Sequence, residues 1–180
     1  MLAELHGKIA VCEKCGLSRT RKNAVPGEGP ENAEIMFIGE APGAREDETG
    51  KPFCGRSGNL LTDVLREAGI ERKDCFVTSP LKCRPPDNRL PKSEELRACR
   101  PWLVEQMKII KPRVVCLLGN SATKALLGKT GVNGLHGKSE ERDGINYFIT
   151  FHPAAVIRGT VKRETYLEDM KMLKRMAGES

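Results

Sequence analysis

Four short apolar runs recur along the chain, and segments with apolar residues at helical spacing lie between and after them. Runs of this length, rich in Val, Ile, Leu and Phe, are typical of strands buried on both faces of a sheet. We predict strands at residues 34–38, 75–79, 113–118 and 147–151. We predict helices at residues 3–11, 58–68, 93–110, 121–127 and 162–176. The sequence Ser93-Glu94-Glu95-Leu96 predicts a capping-box start for the third of these helices.

Strands that alternate with helices predict an α/β fold with a four-stranded parallel sheet covered on both faces. In such sheets a ligand binds beyond the carboxyl ends of the strands. Those ends carry Gly39-Glu40-Ala41-Pro42-Gly43, Ser79-Pro80, Gly119-Asn120 and His152-Pro153. Because parallel strands end at one edge of the sheet, we expect these residues to converge and form a site.

The stretch from the first strand to Phe53 contains the most informative local pattern. The apolar run stops at two glycines and a proline, so the chain turns sharply there. A charged segment, residues 45–51, leads to Phe53, an aromatic residue in a polar and glycine-rich neighbourhood. A tight turn, the acid Glu40 and this aromatic ring suit a pocket for a flat polar ligand. An ordinary strand-to-helix loop is the alternative.

Composition and charge narrow the class of protein. The chain has 180 residues, of which 39% are hydrophobic and 30% charged, which describes one soluble globular domain spanning residues 1–180. Thirty Lys+Arg against 24 Asp+Glu give a net charge of +6, which permits a polyanionic partner without identifying one. We find no targeting or membrane-spanning pattern, so we expect a cytoplasmic protein that does not bind membranes.

Seven cysteines are an odd number for a disulfide framework and favour metal ligands together with free buried thiols. Cys12 and Cys15 form a C-x2-C pair, and Cys83 and Cys99 are widely spaced. Four thiolates from these segments could hold zinc or an iron–sulfur cluster, and the wide second spacing favours the cluster. The remaining three divide into Cys75 and Cys116, expected as buried apolar residues in strands, and Cys54, which is either a pocket-wall thiol or a packing residue.

Several motifs occur together in one order, and in this combination the chain resembles the iron–sulfur uracil-DNA glycosylases, family 4 of the uracil-DNA glycosylase superfamily. The resemblance extends from Cys12 to the final helix. The motifs are Cys12-x2-Cys15, Gly39-Glu40-Ala41-Pro42-Gly43, Gly50-Lys51-Pro52-Phe53, Lys82-Cys83-Arg84-Pro85-Pro86-Asp87-Asn88-Arg89, Cys99 and Phe151-His152-Pro153.

The resemblance implies a three-layer α/β/α sandwich and a structural [4Fe–4S] cluster on Cys12, Cys15, Cys83 and Cys99. It also implies hydrolysis of the N-glycosidic bond of deoxyuridine in single- or double-stranded DNA, which leaves an abasic site. We expect a monomer, and a sliding clamp is a candidate protein partner that no motif in the chain identifies. No lysine suited to a lyase reaction is identifiable near the sugar, so hydrolysis alone is expected.

The resemblance also implies roles for single residues. A base must leave the stack before an enzyme can act on it, and Phe53 matches the aromatic that stacks on the flipped uracil. His152 matches the donor that stabilises negative charge on the base oxygen. Glu40 or Asn88 orients the attacking water. Family 1 enzymes carry an aspartate at the place of Ala41, so the choice between the two stays open. Backbone N–H groups of the Gly39-to-Gly43 segment, including Ala41, are candidates for contacts with the base.

Other residues match the DNA-binding parts of the family. Val156, Ile157 and Arg158 resemble the loop that enters the minor groove and replaces the flipped nucleotide. A further three basic residues could contact phosphates. They are Lys82, Arg84 and Arg89.

Ser79 departs from the family pattern, because most members have asparagine at this position. A serine has no amide and cannot make the same two hydrogen bonds to a pyrimidine edge. We therefore expect uracil as the substrate, with lower activity or an altered choice of base. Two further alternatives are a non-catalytic iron–sulfur or zinc DNA-binding protein and a small-molecule nucleotide hydrolase. The absence of a Gly-x-x-x-x-Gly-Lys loop weighs against the hydrolase.

Overall fold

The computed structural model describes residues 1–178, and in it all four apolar runs form strands. The strands belong to one five-stranded sheet with the order β2-β1-β3-β5-β4. Their bounds are β1 Ile35–Ile38, β2 Phe76–Thr78, β3 Val114–Leu118, β4 Ser139–Arg142 and β5 Ile145–Thr150. The pairs β1–β2, β1–β3 and β3–β5 are parallel, as expected.

The predicted sheet of four parallel strands was one strand short. Strand β4 pairs antiparallel with β5 at the edge of the sheet. Its sequence, Ser-Glu-Glu-Arg, has no apolar residue and therefore shows no strand pattern. The signal lay in the turn: Asp143 and Gly144 both have positive φ, 52° and 78°. An Asp-Gly pair directly before an apolar run is a hairpin signal.

Within residues 1–178, eight α-helices accompany the sheet. Their bounds are α1 Leu2–Ala10, α2 Ala44–Thr49, α3 Arg56–Glu67, α4 Ser93–Ile110, α5 Asn120–Leu127, α6 Val132–Leu135, α7 Pro153–Ile157 and α8 Arg163–Gly178. Helix α4 has the predicted bounds, and the other predicted helices differ only at their ends. Helix α2 occupies the segment that we expected to be a charged loop. None of the helices in residues 1–178 is long and apolar enough to cross a bilayer.

The start of α4 differs from the predicted capping box. The N-cap residue is Lys92, whose backbone N–H donates to Glu95 Oε2 at 2.9 Å. Glu95 is buried, and Arg89 Nη2 donates to its other oxygen at 2.6 Å. One carboxylate therefore both caps the helix and anchors the loop that precedes it.

Buried apolar residues form two clusters. The larger cluster fills the space between the sheet and its helices, including α3 and α8, which also pack against each other. The smaller cluster lies where α1 packs on α4, and it contains Cys83 and Cys99 beside Ile9 and Leu81. The amino-terminal segment is therefore held by its own small core, into which two of the predicted metal ligands project.

Lys82 connects the end of β2 to α4 inside the protein. Its Nζ donates to Thr78 Oγ1 at 2.5 Å and to Gln106 Oε1 at 2.7 Å. The side chain is fully buried, and burial lowers its pKa to about 7. The prediction that Lys82 contacts a phosphate was therefore wrong. A lysine in the sequence Lys-Cys-Arg-Pro-Pro is expected to lie on a basic surface. Here the short loop directs its side chain into the protein.

Candidate active site

The carboxyl ends of four strands meet at one edge, as the sequence predicted. Two backbone hydrogen bonds extend the sheet just beyond the strands: Gly39 N donates to Thr78 O at 3.0 Å, and Gly119 N donates to Thr150 O at 2.8 Å. The residues that follow β1, β2, β3 and β5 are thereby brought together. Glu40 hydrogen-bonds across this edge, and Phe53 and His152 face each other there.

Phe53 lies against the turn that follows β1. Its ring centroid is 5.8 Å from that of His152, with 32° between the planes. A Cβ atom on Gly39 would lie 2.5 Å from Phe53 Cζ and 3.4 Å from Ser79 Oγ. Only a glycine lets the backbone approach this ring so closely. Phe53 and His152 are thus near enough to contact one planar ligand, and Ser79 lies beside them.

The local structure around His152 fixes its protonation state. His152 is the N-cap of α7, and its Nδ1 accepts a hydrogen bond from Ala154 N at 3.1 Å. Burial, with a smaller contribution from Arg158, lowers its pKa to about 4. The imidazole is therefore neutral near pH 7, with its hydrogen on Nε2. This nitrogen is free of the cap and can donate to a ligand.

Glu40 is held by a residue that the sequence analysis missed. Ser121 Oγ donates to Glu40 Oε2, which links the end of β1 to the first turn of α5. A helix amino terminus also favours a nearby carboxylate. The available signal was the position of Ser121, just beyond a predicted strand end, where a hydroxyl can reach the neighbouring strand.

Asn88, the other candidate for orienting water, lies apart from this arrangement. Its side chain is exposed, and its Oδ1 accepts a hydrogen bond from Arg84 Nε at 2.8 Å. Within residues 1–178, no hydrogen bond joins Asn88 to Glu40 or His152. The backbone donor of Gly43 is also engaged, because it donates to Glu46 Oε2 at 3.2 Å. Ala41 is half-buried and packs against the smaller core.

The predicted DNA contacts are only partly accessible. Arg89 is held by Glu95, whereas Arg158 is exposed at the end of α7. Val156 and Ile157 are half-buried on α7, a short helix and not the loop expected from the resemblance.

A cleft of about 820 Å³, lined by Glu40 and Ser121, also runs along α4 and α5. The basic residues that line this cleft are Arg97, Arg100, Lys108, Lys124 and Arg142.

The four cysteines predicted as ligands line a single cavity beside α1 and α4: Cys12, Cys15, Cys83 and Cys99. Among the described residues, no three His, Cys, Asp or Glu side chains converge on a point where one ion could bind. Four thiols around one cavity are a donor set that fits zinc or an iron–sulfur cluster.

Four N–H groups point at these sulfur atoms, and the longest of these contacts runs from the backbone N–H of Lys14 to Cys12 Sγ at 3.5 Å. Trp102 Nε1 donates to Cys12 Sγ at 3.2 Å, and Arg21 Nη1 donates to Cys83 Sγ at 3.1 Å. The backbone N–H of Lys82 donates to Cys99 Sγ at 3.3 Å. Hydrogen bonds to sulfur suit thiolate ligands, since they stabilise negative charge. Burial raises the pKa of Cys99 to about 11, so a metal must displace the proton on binding.

The other cysteines lie away from this cavity. Cys116 is buried within β3 and Cys75 is buried just before β2, as expected for packing residues. Cys54 is half-buried and hydrogen-bonds with Thr49 Oγ1 at 3.3 Å.

Comparison with known proteins identifies the family. A family model of the Uracil DNA glycosylase superfamily matches residues 26–172. A Type-4 uracil-DNA glycosylase of Pyrobaculum aerophilum is 44% identical, over 95% of this chain and 92% of that protein. A Type-4 uracil-DNA glycosylase of Archaeoglobus fulgidus is 41% identical, over 99% and 94%. A Type-5 uracil-DNA glycosylase of Pyrobaculum aerophilum is 32% identical, over 87% and 76%. The chain therefore belongs to the uracil-DNA glycosylase superfamily and, within it, to the type-4 family.

Proposed function

We propose that this protein hydrolyses the N-glycosidic bond between uracil and deoxyribose in DNA and leaves an abasic site. The observation that carries the proposal is the Phe53–His152 pair, which offers an aromatic face and a neutral N–H donor to one planar ring. The names of the type-4 relatives support the same reaction. Lys82, whose Nζ lies at the end of β2, is fully buried and bound to Thr78 and Gln106, so the proposal contains no lyase step.

Phe53 and His152 act on the base. Phe53 stacks on the uracil after it leaves the helix. As the bond between C1′ and N1 breaks, its electron pair moves onto the base and negative charge grows on a carbonyl oxygen. Nε2–H of His152 donates to that oxygen. A neutral imidazole suits this role because it can stabilise the anion without transferring a full proton.

Glu40 acts on the sugar and the water. Its position at the strand ends favours it over Asn88, which is exposed and paired with Arg84. The carboxylate stabilises positive charge on the sugar and orients a water molecule towards C1′. The water oxygen bonds to C1′, and the carboxylate accepts the proton that the water loses. Ser121 holds the carboxylate in place through its hydroxyl group.

Cys12, Cys15, Cys83 and Cys99 hold a [4Fe–4S] cluster in this proposal. The cavity that they line and the four N–H donors around it support this assignment. When bound, the cluster would cross-link the amino-terminal segment, which carries Cys12 and Cys15, to the loop after β2 and to α4. The two helix groups, α1 with α4 and α3 with α7 and α8, likewise support the three-layer sandwich.

The DNA crosses the strand ends. Arg158 and Arg84 contact phosphates, and Val156 and Ile157 fill the space that the flipped nucleotide leaves. The basic residues of the cleft along α4 and α5 add positive potential next to Glu40. Arg89 stays paired with Glu95 and serves the loop instead.

We expect uracil to be released faster than hypoxanthine, xanthine or thymine from oligonucleotides of otherwise identical sequence. The measurement is base release under single-turnover conditions. Ser79 lies beside Gly39 and Phe53, where an asparagine amide would add hydrogen bonds to the pyrimidine edge. Ser79→Asn should therefore raise uracil release, by about tenfold for one to two added bonds. Faster release of another base by the unchanged protein would refute the uracil assignment.

The imidazole of His152 should stay neutral from pH 8 down to about pH 5, because its pKa is near 4 and not 6.5. Nitrogen chemical shifts followed through a pH titration report this state directly. His152→Ala should slow uracil release by about 10²- to 10³-fold, as expected for loss of an oxyanion donor. A titration midpoint near 6.5 would contradict the neutral-donor mechanism.

Glu40→Gln should slow uracil release by at least about 10²-fold, because the variant keeps the shape but cannot accept a proton. Asn88→Ala should cost less than about tenfold, since Asn88 lies outside the strand-end arrangement. Both rates are measured with saturating enzyme on one uracil-containing strand. The reverse ranking would assign the water to Asn88 and would mean that the loop at residues 86–88 moves when DNA binds.

Protein purified without oxygen should show the broad visible absorption of an iron–sulfur cluster and contain iron instead of zinc. Cys83→Ala should lose iron and unfold at a lower temperature, because the cross-link then lacks one of its ligands. Cys54→Ala is the matched control and should keep both the iron and the absorption. Zinc in the purified protein, with the same dependence on Cys83, would replace the cluster with a zinc site.

A further inference from the structure

The backbone at Phe53 has a conformation that large residues avoid. Its φ is 46°, in the left-handed region. The other non-glycine residues with positive φ in the described part of the chain are Asp87, Asn88, Lys111 and Asp143. Phe53 is the one aromatic in this group, and aspartate and asparagine enter the region far more readily. Such a conformation persists only when surrounding groups impose it.

Arg72 supplies hydrogen bonds on both sides of Phe53. Its Nη1 donates to Phe53 O at 2.9 Å, and its Nη2 donates to Pro52 O at 2.8 Å. The same guanidinium reaches α3, where Nη1 donates to Thr62 Oγ1 at 2.9 Å and lies 3.3 Å from Gly58 O. A planar fork of N–H donors can join several carbonyl groups at fixed angles, which a lysine cannot do.

Burial makes these hydrogen bonds hard to replace. Arg72 is partly buried, and this burial lowers the pKa of its guanidinium. All four hydrogen-bond acceptors are neutral oxygens, so the positive charge is stabilised by backbone carbonyls and a hydroxyl group. Loss of the guanidinium would leave the carbonyl groups of Pro52 and Phe53 without this partner.

Two glycines allow the neighbouring backbone to pack closely against Phe53 on two sides and so restrict its movement. A Cβ atom on Gly58 would lie 1.7 Å from Phe53 O, so α3 packs directly on the carbonyl that Arg72 holds. On the other side of the residue, the Phe53 ring presses on Gly39. Arg72 and α3 hold the backbone of Phe53, and this fixes the position of its ring opposite His152.

We propose that Arg72 is a positioning residue for catalysis: it holds Phe53 in its left-handed conformation so that the ring presents its face to the base opposite His152. Arg72 itself touches neither the base nor the DNA. The inference rests on the proposed function, because it gives Phe53 the stacking role. It adds a residue of the turn before β2 to the machinery that selects the flipped base.

Arg72→Met should keep the protein folded but slow uracil release by about 10- to 100-fold, since misplacing a contact group by about an ångström has effects of this size. Free uracil should also inhibit the variant more weakly by a similar factor. Affinity for DNA with a tetrahydrofuran abasic analogue should change less than about twofold, because that ligand has no base to stack on Phe53. Arg66→Met is the matched control, since Arg66 is exposed on α3 and pairs only with Asp63.

A double-mutant cycle with Phe53→Ala separates positioning from general damage. If Arg72 acts through Phe53, the Arg72→Met/Phe53→Ala protein should be no slower than Phe53→Ala alone. Multiplied losses, or equal losses of affinity for uracil and for abasic DNA, would overturn the positioning role. If Phe53→Ala itself releases uracil at the normal rate, the stacking role within the proposed function fails instead.

Thr62→Val keeps the test decisive if Arg72→Met does not fold. This variant leaves the guanidinium in place and removes one of its acceptors. It should weaken inhibition by free uracil by about two- to fivefold while abasic-DNA affinity is retained, as expected for one lost hydrogen bond. No change in uracil inhibition for Thr62→Val, together with an unfolded Arg72→Met, would show that Arg72 stabilises the fold without positioning the ring.

Discussion

The candidate site depends on one constraint: Phe53 and His152 lie very close to the glycines that follow β1 and β3. A Cβ atom on Gly39 would collide with Phe53, and one on Gly119 would lie 3.0 Å from His152 Cβ. Gly119 also has a φ of 92°, a backbone angle that residues with a side chain rarely adopt. At both positions a strand is followed by a residue without a side chain: the ring of Phe53 occupies the space at Gly39, and the backbone and Cβ of His152 occupy the space at Gly119. The two rings therefore face each other across one edge.

This constraint explains why part of the site could be predicted from the sequence. Glycines at strand ends, one acid and two rings stand out against apolar runs, and the topology of a parallel sheet brings them together. Positions of this kind depend on backbone connectivity, so order along the chain was enough to predict that Glu40 and His152 follow strands at one edge of the sheet. Phe53 reaches that edge through its contact with Gly39. The motifs shared with the type-4 family made the same residues recognisable.

What the sequence did not reveal depends on the direction of side chains. Lys82 and Arg84 look alike as letters in a basic loop, but one is buried in a hydrogen-bonded network and the other is partly accessible. Ser121 and Arg72 act through hydrogen bonds to residues distant in sequence, and no periodicity reports such contacts. Strand β4 has no apolar side, since it pairs by its backbone at the edge of the sheet and its side chains are polar. Its one signal was the Asp-Gly turn.

The electrostatic design of the site follows from where each charged group is placed. His152 is half-buried and neutral. The guanidinium of Arg72 is occupied by carbonyl and hydroxyl oxygens, and the amine of Lys82 by a hydroxyl and an amide oxygen. The carboxylate of Glu40 is therefore left without a basic partner at the described strand ends and is bound by a hydroxyl instead. A carboxylate in that state keeps its full field for positive charge on a sugar, and an imidazole that stays neutral does not cancel it. A neutral N–H donor at His152 would not stabilise a cationic ligand. The arrangement suits a reaction in which the base leaves as an anion and the sugar becomes cationic.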